Sequence, residues 1–318
     1  MALTLPVDEG LGFERVDWWI PQRLSFVTRA ARPVRNSTEI PMSVGPGELF
    51  RLVRSVKAQA YDVAVIFHAP WWVGLVLFLA GVRLRIGVRS QWHSFLFLNR
   101  GIRQKRSRAD KSELEFNYLL VEQGLGLAEG SLERRTLSLD SSDTDALTAH
   151  GLEKGEYVVV HPGMGGSARN WPVDLYAEFV RERAKTETVV ITGTASDAIY
   201  VVPLKELLGT LANVVWLNEK LTGVELIGVL GNAKLVFAPS TGVLHLAAST
   251  GVPTLGLFSP VRVQRALRWG PQGAKTATLE PLVNCPGELR CLGEVCPHWD
   301  CMPRVTVQEA TEAADKLI

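Results

Sequence analysis

The sequence predicts an α/β fold made of two Rossmann-like domains, each with a parallel sheet. Its 318 residues are more than a single hydrophobic core usually serves. Strand and helix patterns alternate in both halves, and a polar run at 139–150 separates them. We therefore expect one domain at 1–145 and a second at 146–318, with the last helix able to pack back on the first domain.

The composition is that of an ordinary soluble globular protein. Hydrophobic residues make up 47% and charged residues 21%, and 34 Lys and Arg nearly balance 33 Asp and Glu. The net charge of +1 gives no indication of nucleic-acid binding. No basic flank leads into an apolar signal stretch, and all four cysteines follow residue 284. These features favour a reducing, cytoplasmic setting.

The second half alternates strand and helix with regular spacing. Short apolar runs predict strands, and the 3.6-residue period of Leu175, Tyr176 and Phe179 predicts a helix after the first of them. Such units require right-handed crossovers and a parallel sheet covered on both faces. The predicted strands are 157–161, 188–192, 213–217, 235–238 and 254–258, with further helices at 198–208, 224–230 and 243–250.

The first half shows the same alternation less regularly. The apolar segment 63–80 has the length of a membrane span, but His68 and Pro70 interrupt it. We favour a buried parallel strand that runs into a buried helix. The predicted strands are 15–20, 61–67 and 84–87, and the predicted helices are 22–31, 48–58 and 112–123.

Two loops that follow strands are candidate ligand sites, because open parallel sheets bind ligands beyond the carboxyl ends of their strands. After strand 157–161 comes a glycine-rich stretch, 162–167, followed by Arg169 and Pro172. Backbone N–H groups that glycine leaves accessible, together with the Arg169 guanidinium, can hold a diphosphate. A long turn with a solvated arginine is the alternative interpretation.

The second loop follows strand 235–238 and reads Pro239-Ser240-Thr241-Gly242, with His245 in the first turn of the next helix. Ser240 or Thr241 can cap that helix, and Gly242 lets an anion approach its N–H groups. The helix dipole alone contributes only about 0.3 to 1 kcal/mol, so phosphate binding also needs several N–H bonds. A structural histidine is the alternative for His245.

The residues of these loops resemble glycosyltransferase family 9, the lipopolysaccharide heptosyltransferases and their relatives. The likeness continues through 251–258 and 269–271, and more loosely through 61–62, 80–82 and 85–87, so it covers nearly the whole chain. It implies the GT-B fold, in which two Rossmann-like domains face each other across a cleft. The motifs that carry it are His161-Pro162-Gly163, Arg169-Asn170-Trp171-Pro172 and Ser240-Thr241-Gly242 with His245.

The resemblance implies an inverting transfer of heptose from ADP-heptose to the anionic inner core of lipopolysaccharide, without a metal or other cofactor. The expected partners are a nucleotide sugar, an anionic glycolipid and the inner face of the inner membrane. Arg169 falls where the family has a basic residue near the phosphates, and Asp197 falls near the expected ribose-binding acid. The donor-binding residues implied in this way are His161, Gly163, Arg169, Asp197, Ser240, Thr241, Gly242 and His245.

Two departures from the family pattern matter. Many relatives have an acidic residue where Pro239 or Ser240 falls, which leaves the donor contacts there open. Relatives also carry a Leu-Gly-Asp turn whose aspartate is the expected base for the acceptor hydroxyl. The stretch 1–6 resembles the residues immediately after that turn, so we expect the base to precede residue 1. The catalytic residue is left unassigned, with Asp8 and Glu9 the nearest carboxylates.

A basic segment with interleaved aromatic residues lies in the first half. Nine Lys or Arg and a single acid lie between residues 83 and 111, with Trp92 and Phe95 among them. Arg89, Arg100 and Arg103 are our candidates for contact with a polyanionic acceptor or a membrane surface. A solvated charged face is the alternative, and no recognised nucleic-acid module accompanies the segment.

Four cysteines lie close together near the end of the chain. Cys285, Cys291, Cys296 and Cys301 are separated by five, four and four residues. Four thiolates can bind zinc tetrahedrally, but the close Cys-x-x-Cys pairs of structural zinc sites are absent. We therefore favour free thiols or an occasional disulfide over a zinc site.

Two other functions are compatible with the same residues. Diphosphate-binding loops are shared among GT-B enzymes, so another nucleotide sugar is an alternative donor. The chain can also be a nucleotide-sugar-binding protein that has lost catalysis.

Overall fold

The computed structural model describes residues 11–32, 34, 36–166 and 168–318, and the candidate carboxylates Asp8 and Glu9 lie outside this part of the chain. The strands of the first half are β1 (Asp17–Pro21), β2 (Ala31–Arg32), β3 (Asn36–Ile40), β4 (Val63–Ile66), β5 (Leu84–Val88), β6 (Arg100–Ile102) and β7 (Ser138–Leu139). β1 pairs with β3, and β5 lies between β4 and β6, in two parallel sheets. β2 pairs antiparallel with β7.

The helices of the first half begin and end at recognisable signals. Gly45 precedes a proline at the first helical position, and Ser112 and Glu115 form a capping box. Gly126 ends that second helix in the left-handed conformation. These helices are α1 (Ser25–Ala30), α2 (Pro46–Gln59), α3 (Trp71–Leu79), α4 (Trp92–Phe97) and α5 (Glu113–Leu125).

The apolar segment 63–80 forms β4 and α3, as the strand-then-helix prediction requires. Trp72, Val73 and Val76 pack in a core with Val56 of α2 and Val82. α3 is buried on the side that packs in this core, and its other side is exposed to solvent. In the described part of the chain, no helix combines the length and the apolar character needed to cross a membrane.

A single six-stranded parallel sheet organises the second half. Its order is β10-β9-β8-β11-β12-β13, and all neighbouring pairs are parallel. The strands are β8 (Tyr157–Val160), β9 (Thr188–Ile191), β10 (Val214–Trp216), β11 (Leu235–Pro239), β12 (Thr254–Leu257) and β13 (Thr276–Leu279). The first five match the five predicted strands, and β13 was not predicted.

The helices of the second half cover both faces of this sheet. They are α6 (Asp145–Ala149), α7 (Val173–Arg183), α8 (Ala198–Leu208), α9 (Gly223–Gly231), α10 (Gly242–Thr250), α11 (Ala266–Trp269) and α12 (Val307–Asp315). One face carries a group of fully buried rings, in which Trp171, Tyr176 and Phe179 pack around Phe237. On the other face, the Tyr157 hydroxyl donates to the Val229 carbonyl at 2.6 Å.

Parts of the first half pack on the sheet of the second half. Val27 and Ala30 of α1 and Leu139 of β7 share a core with β8. Ala146 and Leu147, in the polar run at 139–150, are buried in the same core. The sequence analysis allowed the last helix to pack on the first half. In the structure this helix, α12, packs on α7, and Arg183 Nη1 lies 2.8 Å from Asp315 Oδ1.

Candidate functional site

Three loops meet at one edge of the six-stranded sheet. They follow β8, β9 and β11, which are adjacent in the sheet and parallel. Their carboxyl ends therefore open at the same edge, where ligands bind in open α/β sheets. The candidate donor-binding residues of the sequence analysis all lie on these loops or in the helix turn after them.

The loop after β8 is fixed by close backbone packing. A Cβ on Gly163 would lie 2.1 Å from the Asp197 carboxyl group, so only glycine fits there. His161 is buried, with its Nδ1 3.0 Å from the Thr192 Oγ1, and burial lowers the pKa of its imidazole. His161 and Gly163 therefore stabilise the conformation of this loop.

Asp197 lies beneath this loop and bonds within its own turn. It is 4% exposed, and its carboxylate accepts from the Thr194 N–H at 2.8 Å and from the Thr194 hydroxyl at 2.7 Å. The two residues form a capping box. Its side-chain hydrogen bonds are thus with Thr194, it packs against Gly163, and its contact with a ribose stays a prediction.

The Arg169 guanidinium is held by residues that the sequence analysis did not identify. Its Nη2 lies 2.5 Å from Asp300 Oδ2, and its Cζ lies 4.1 Å from the centre of the Trp299 ring. The Asn170 amide donates to the Pro162 carbonyl at 2.7 Å, which closes the loop on itself. No local sequence pattern links Arg169 with Asp300, which is 131 residues further along the chain.

The start of α10 offers free backbone donors. Thr241 occupies the N-cap position with an extended backbone, and its side chain makes no capping hydrogen bond. Gly242 is exposed, and nothing lies within 4 Å of the position that a Cβ would take. Because the first N–H groups of a helix have no partner inside it, this turn can bind an anion.

His245 lies one turn further along α10, where the two halves of the chain meet. It lines a cavity of about 20 Å³ together with Ser112 and Thr136 of the first half and Arg268 of the second. Burial lowers the pKa of His245 to about 3. It is therefore neutral near pH 7 and can donate or accept one hydrogen bond without adding charge.

Two of the three candidate acceptor residues come together. Arg89 follows β5 and Arg103 follows β6, and their guanidinium carbons lie 5.3 and 6.0 Å from the Phe95 ring centre. Both are therefore at the carboxyl end of the small parallel sheet. Arg100, by contrast, is exposed at the start of β6.

The four cysteines are free thiols and half-buried. The Gly287 N–H donates to Cys285 Sγ and the Gly293 N–H to Cys291 Sγ, each at 3.4 Å. Burial, followed by the neighbouring Asp300 and other cysteines, raises the pKa of Cys301. Within the described ranges, no three His, Cys, Asp or Glu side chains are arranged to hold a metal ion.

A six-stranded parallel sheet with ligand-facing loops, joined to a second parallel α/β half, defines the GT-B class of fold. The model of glycosyltransferase family 9 (heptosyltransferase) matches residues 49–283, and the chain belongs to this family. The solved structure of the E. coli ADP-heptose lps heptosyltransferase II has the same fold, with a TM-score of 0.76 at 19% identity. The match covers 98% of this chain and 91% of that one.

Curated relatives of similar sequence include two bacterial proteins. A putative glycosyltransferase of Haemophilus influenzae is 28% identical over 232 residues, which cover 70% of this chain and 66% of that protein. The lipooligosaccharide heptosyltransferase 2 of Campylobacter jejuni is 25% identical over 177 residues, covering 52% of this chain and 53% of that protein. The chain thus spans between half and two thirds of the length of these relatives.

Proposed function

We propose that the protein transfers heptose from ADP-heptose to the inner core of lipopolysaccharide, with inversion and without a metal. The observation that carries the proposal is the uncapped first turn of α10, where Gly242 leaves open space in front of free N–H groups. Such a turn suits the diphosphate of a nucleotide sugar. Membership of the heptosyltransferase family supports heptose as the sugar.

The donor side of the reaction needs stabilisation of the charge that develops on the departing ADP. In our proposal Ser240, Thr241 and Gly242 bind the diphosphate through backbone N–H groups, and Arg169 adds a positive charge. His245 contributes a hydrogen bond to the same diphosphate from its neutral imidazole. His161, Gly163 and Asp197 act indirectly, because they fix the conformation of the loop that carries Arg169. Asp197 is also our candidate for a ribose contact.

The acceptor side draws on the small parallel sheet of the first half. Arg89 and Arg103, which share the Phe95 ring, would attract the anionic groups of the inner core, with Arg100 further out. The acceptor hydroxyl attacks the anomeric carbon in line with the leaving ADP, while a base removes its proton. This chemistry would take place at the cytoplasmic face of the inner membrane, where the lipid-anchored acceptor is presented.

Calorimetry with ADP, UDP and GDP tests the nucleotide first. We expect ADP to bind at least tenfold more tightly than the others, a difference of about 1.4 kcal/mol. Preference for UDP would overturn the heptose assignment and indicate another nucleotide sugar. The second assay measures transfer from ADP-heptose to a deacylated inner-core acceptor. ADP binding without any transfer would indicate a nucleotide-sugar-binding protein instead.

A further inference from the structure

An apolar surface lies on the outside of the first half, formed by α3 and α4. All nine residues of α3 are apolar or glycine. Its inner side packs in the core, while Trp71, Phe78 and Leu79 are 49%, 47% and 48% exposed. Their spacing of seven and eight residues places them on one stripe of the helix. A helix that is apolar all round is normally covered on every side, and the described part of the chain leaves this stripe uncovered.

α4 extends the same surface. Trp92, Phe95 and Leu96 are 66%, 50% and 62% exposed, and their spacing of three and four residues puts them on one side of the helix. The two helices are in direct contact, with the Phe78 and Phe97 rings 6.0 Å apart. We name this surface the aromatic face, and it consists of Trp71, Phe78, Leu79, Trp92, Phe95 and Leu96.

Arginines surround the aromatic face and contact its rings. Arg85 lies 5.4 Å from the Phe78 ring centre, and Arg89 and Arg103 contact Phe95 in the same way. Arg83 and Arg100 are exposed, and both lie towards the amino end of the parallel β5–β6 pair. The segment 83–111 contains nine basic residues and one acidic residue, so the rim has a single sign.

We propose that the aromatic face docks the protein on the surface of an anionic phospholipid bilayer. Trp side chains favour the interface between headgroups and acyl chains because one end of the indole is apolar and the other polar, and Phe and Leu form the apolar face of helices that lie at such an interface. The rim arginines can pair with lipid phosphates at the same depth. A nine-residue helix is about 13 Å long, which is too short to span a bilayer but suits a helix lying in its plane.

Charge favours an anionic membrane over a second copy of the chain as the partner of the aromatic face. Two copies meeting at the aromatic face would bring two rims of positive charge together, whereas an anionic membrane complements them. The inference rests on the proposed function in one respect, because a lipid-anchored acceptor is presented at such a surface. Docking through α4 would bring Arg89 and Arg103, on the Phe95 ring, close to that acceptor.

Co-sedimentation with vesicles tests the proposal on the full chain. We expect binding to vesicles of phosphatidylcholine mixed with phosphatidylglycerol, and much weaker binding to phosphatidylcholine alone or at high salt. The combined substitutions Phe78→Ser, Trp92→Ser and Leu96→Ser should reduce binding at least about tenfold. Ile199→Ser, Val202→Ser and Leu282→Ser, which also change exposed apolar residues, form the matched control and should bind like the wild type.

Arg83→Gln with Arg100→Gln should reduce binding to the anionic vesicles and leave the weak binding to phosphatidylcholine unchanged. No sedimentation of the wild type, or equal loss in the control, would overturn the proposal. Loss of a concentration-dependent dimer in the aromatic-face variant would assign the face to a second copy instead. Transfer to the deacylated acceptor should be unchanged in the variant with Phe78→Ser, Trp92→Ser and Leu96→Ser, so failure of docking and failure of the proposed activity are distinguishable.

Discussion

Glu113 in the first half of the chain and Arg268 in the second form an ion pair that joins the two halves. Glu113 Oε1 lies 2.7 Å from Arg268 Nε and 2.6 Å from its Nη2. The other oxygen accepts from Arg106 Nη1 at 2.6 Å. Glu113 is 6% exposed, so one carboxylate is buried between two guanidinium groups beside the cavity that His245 lines.

We predict that Glu113→Ala strongly destabilises the protein. Removing one member of a buried ion-pair network leaves uncompensated charge, which typically costs about 3–5 kcal/mol. Urea denaturation gives the free energy of unfolding. Glu133→Ala is the matched control, because the Glu133–Arg135 pair is exposed and such pairs contribute less than about 1 kcal/mol. Equal effects of the two substitutions would contradict this account of Glu113.

Asp300→Asn should increase the affinity for ADP. The Asp300 carboxylate pairs with Arg169, so its negative charge opposes a diphosphate that approaches the same guanidinium. Asn keeps the acceptor for the Met302 N–H and removes the charge. We expect about three- to fivefold tighter binding by calorimetry at low salt. Asp315→Asn, at the distant Arg183, is the control. Weaker binding would mean that Asp300 holds Arg169 in its productive position.

Gly242→Val should weaken ADP binding at least tenfold, about 1.4 kcal/mol, without harm to folding. A Cβ at this position meets no other atom of the chain, so the new side chain would project into the space in front of the helix turn. Gly47→Val is the matched control, since Gly47 also lies in the first turn of a helix with open space around it. Unchanged affinity in a folded Gly242→Val protein would remove this turn from the donor site.

We expect the protein purified without chelator to carry no stoichiometric zinc. The cysteine spacing of five, four and four lacks the close pairs that structural zinc sites use. Elemental analysis measures the metal, and a thiol reagent applied to the native protein counts accessible cysteines. One zinc per chain, with all four thiols protected, would contradict this prediction.

The sequence predicted the interior of the fold better than its edges. β8 and β11 are continuous apolar runs because both faces of a central parallel strand are buried. β3 and β13 were missed, since β3 consists mostly of exposed polar residues and β13 pairs with one neighbour only. Neither strand carries a strong apolar pattern.

In the candidate site, the sequence predicted the positions of the loops but not which side chains meet there. The loops after β8 and β11 could be located from their glycines, because backbone conformation depends on local sequence. The partners of Arg169 could not, since Trp299 and Asp300 reach it only through the tertiary fold. For the same reason nothing local distinguished Arg89 and Arg103, which share a ring, from Arg100.

Two buried histidines should make stability depend on pH above the range where carboxylates titrate. Burial lowers the pKa of His161, and lowers that of His245 to about 3, whereas an unfolded histidine has a pKa of about 6.5. Below that value the unfolded chain binds protons that the folded chain does not. The free energy of unfolding therefore falls as the pH drops from about 6.5 towards the folded pKa values.

Urea denaturation at pH 7 and pH 5.5 measures this effect, since the carboxylates are still ionised in that window. Each histidine contributes at most about 1.4 kcal/mol per pH unit, so we expect a loss on the order of 2 kcal/mol. His245→Gln should remove about half of the pH dependence, because glutamine does not titrate. His150→Gln, at a histidine that is only half-buried, is the comparison variant, and a loss of pH dependence as large as that of His245→Gln would contradict the assignment to the buried imidazole. Equal stability of the wild type at both pH values would mean that the two imidazoles are hydrated or charged in the folded protein.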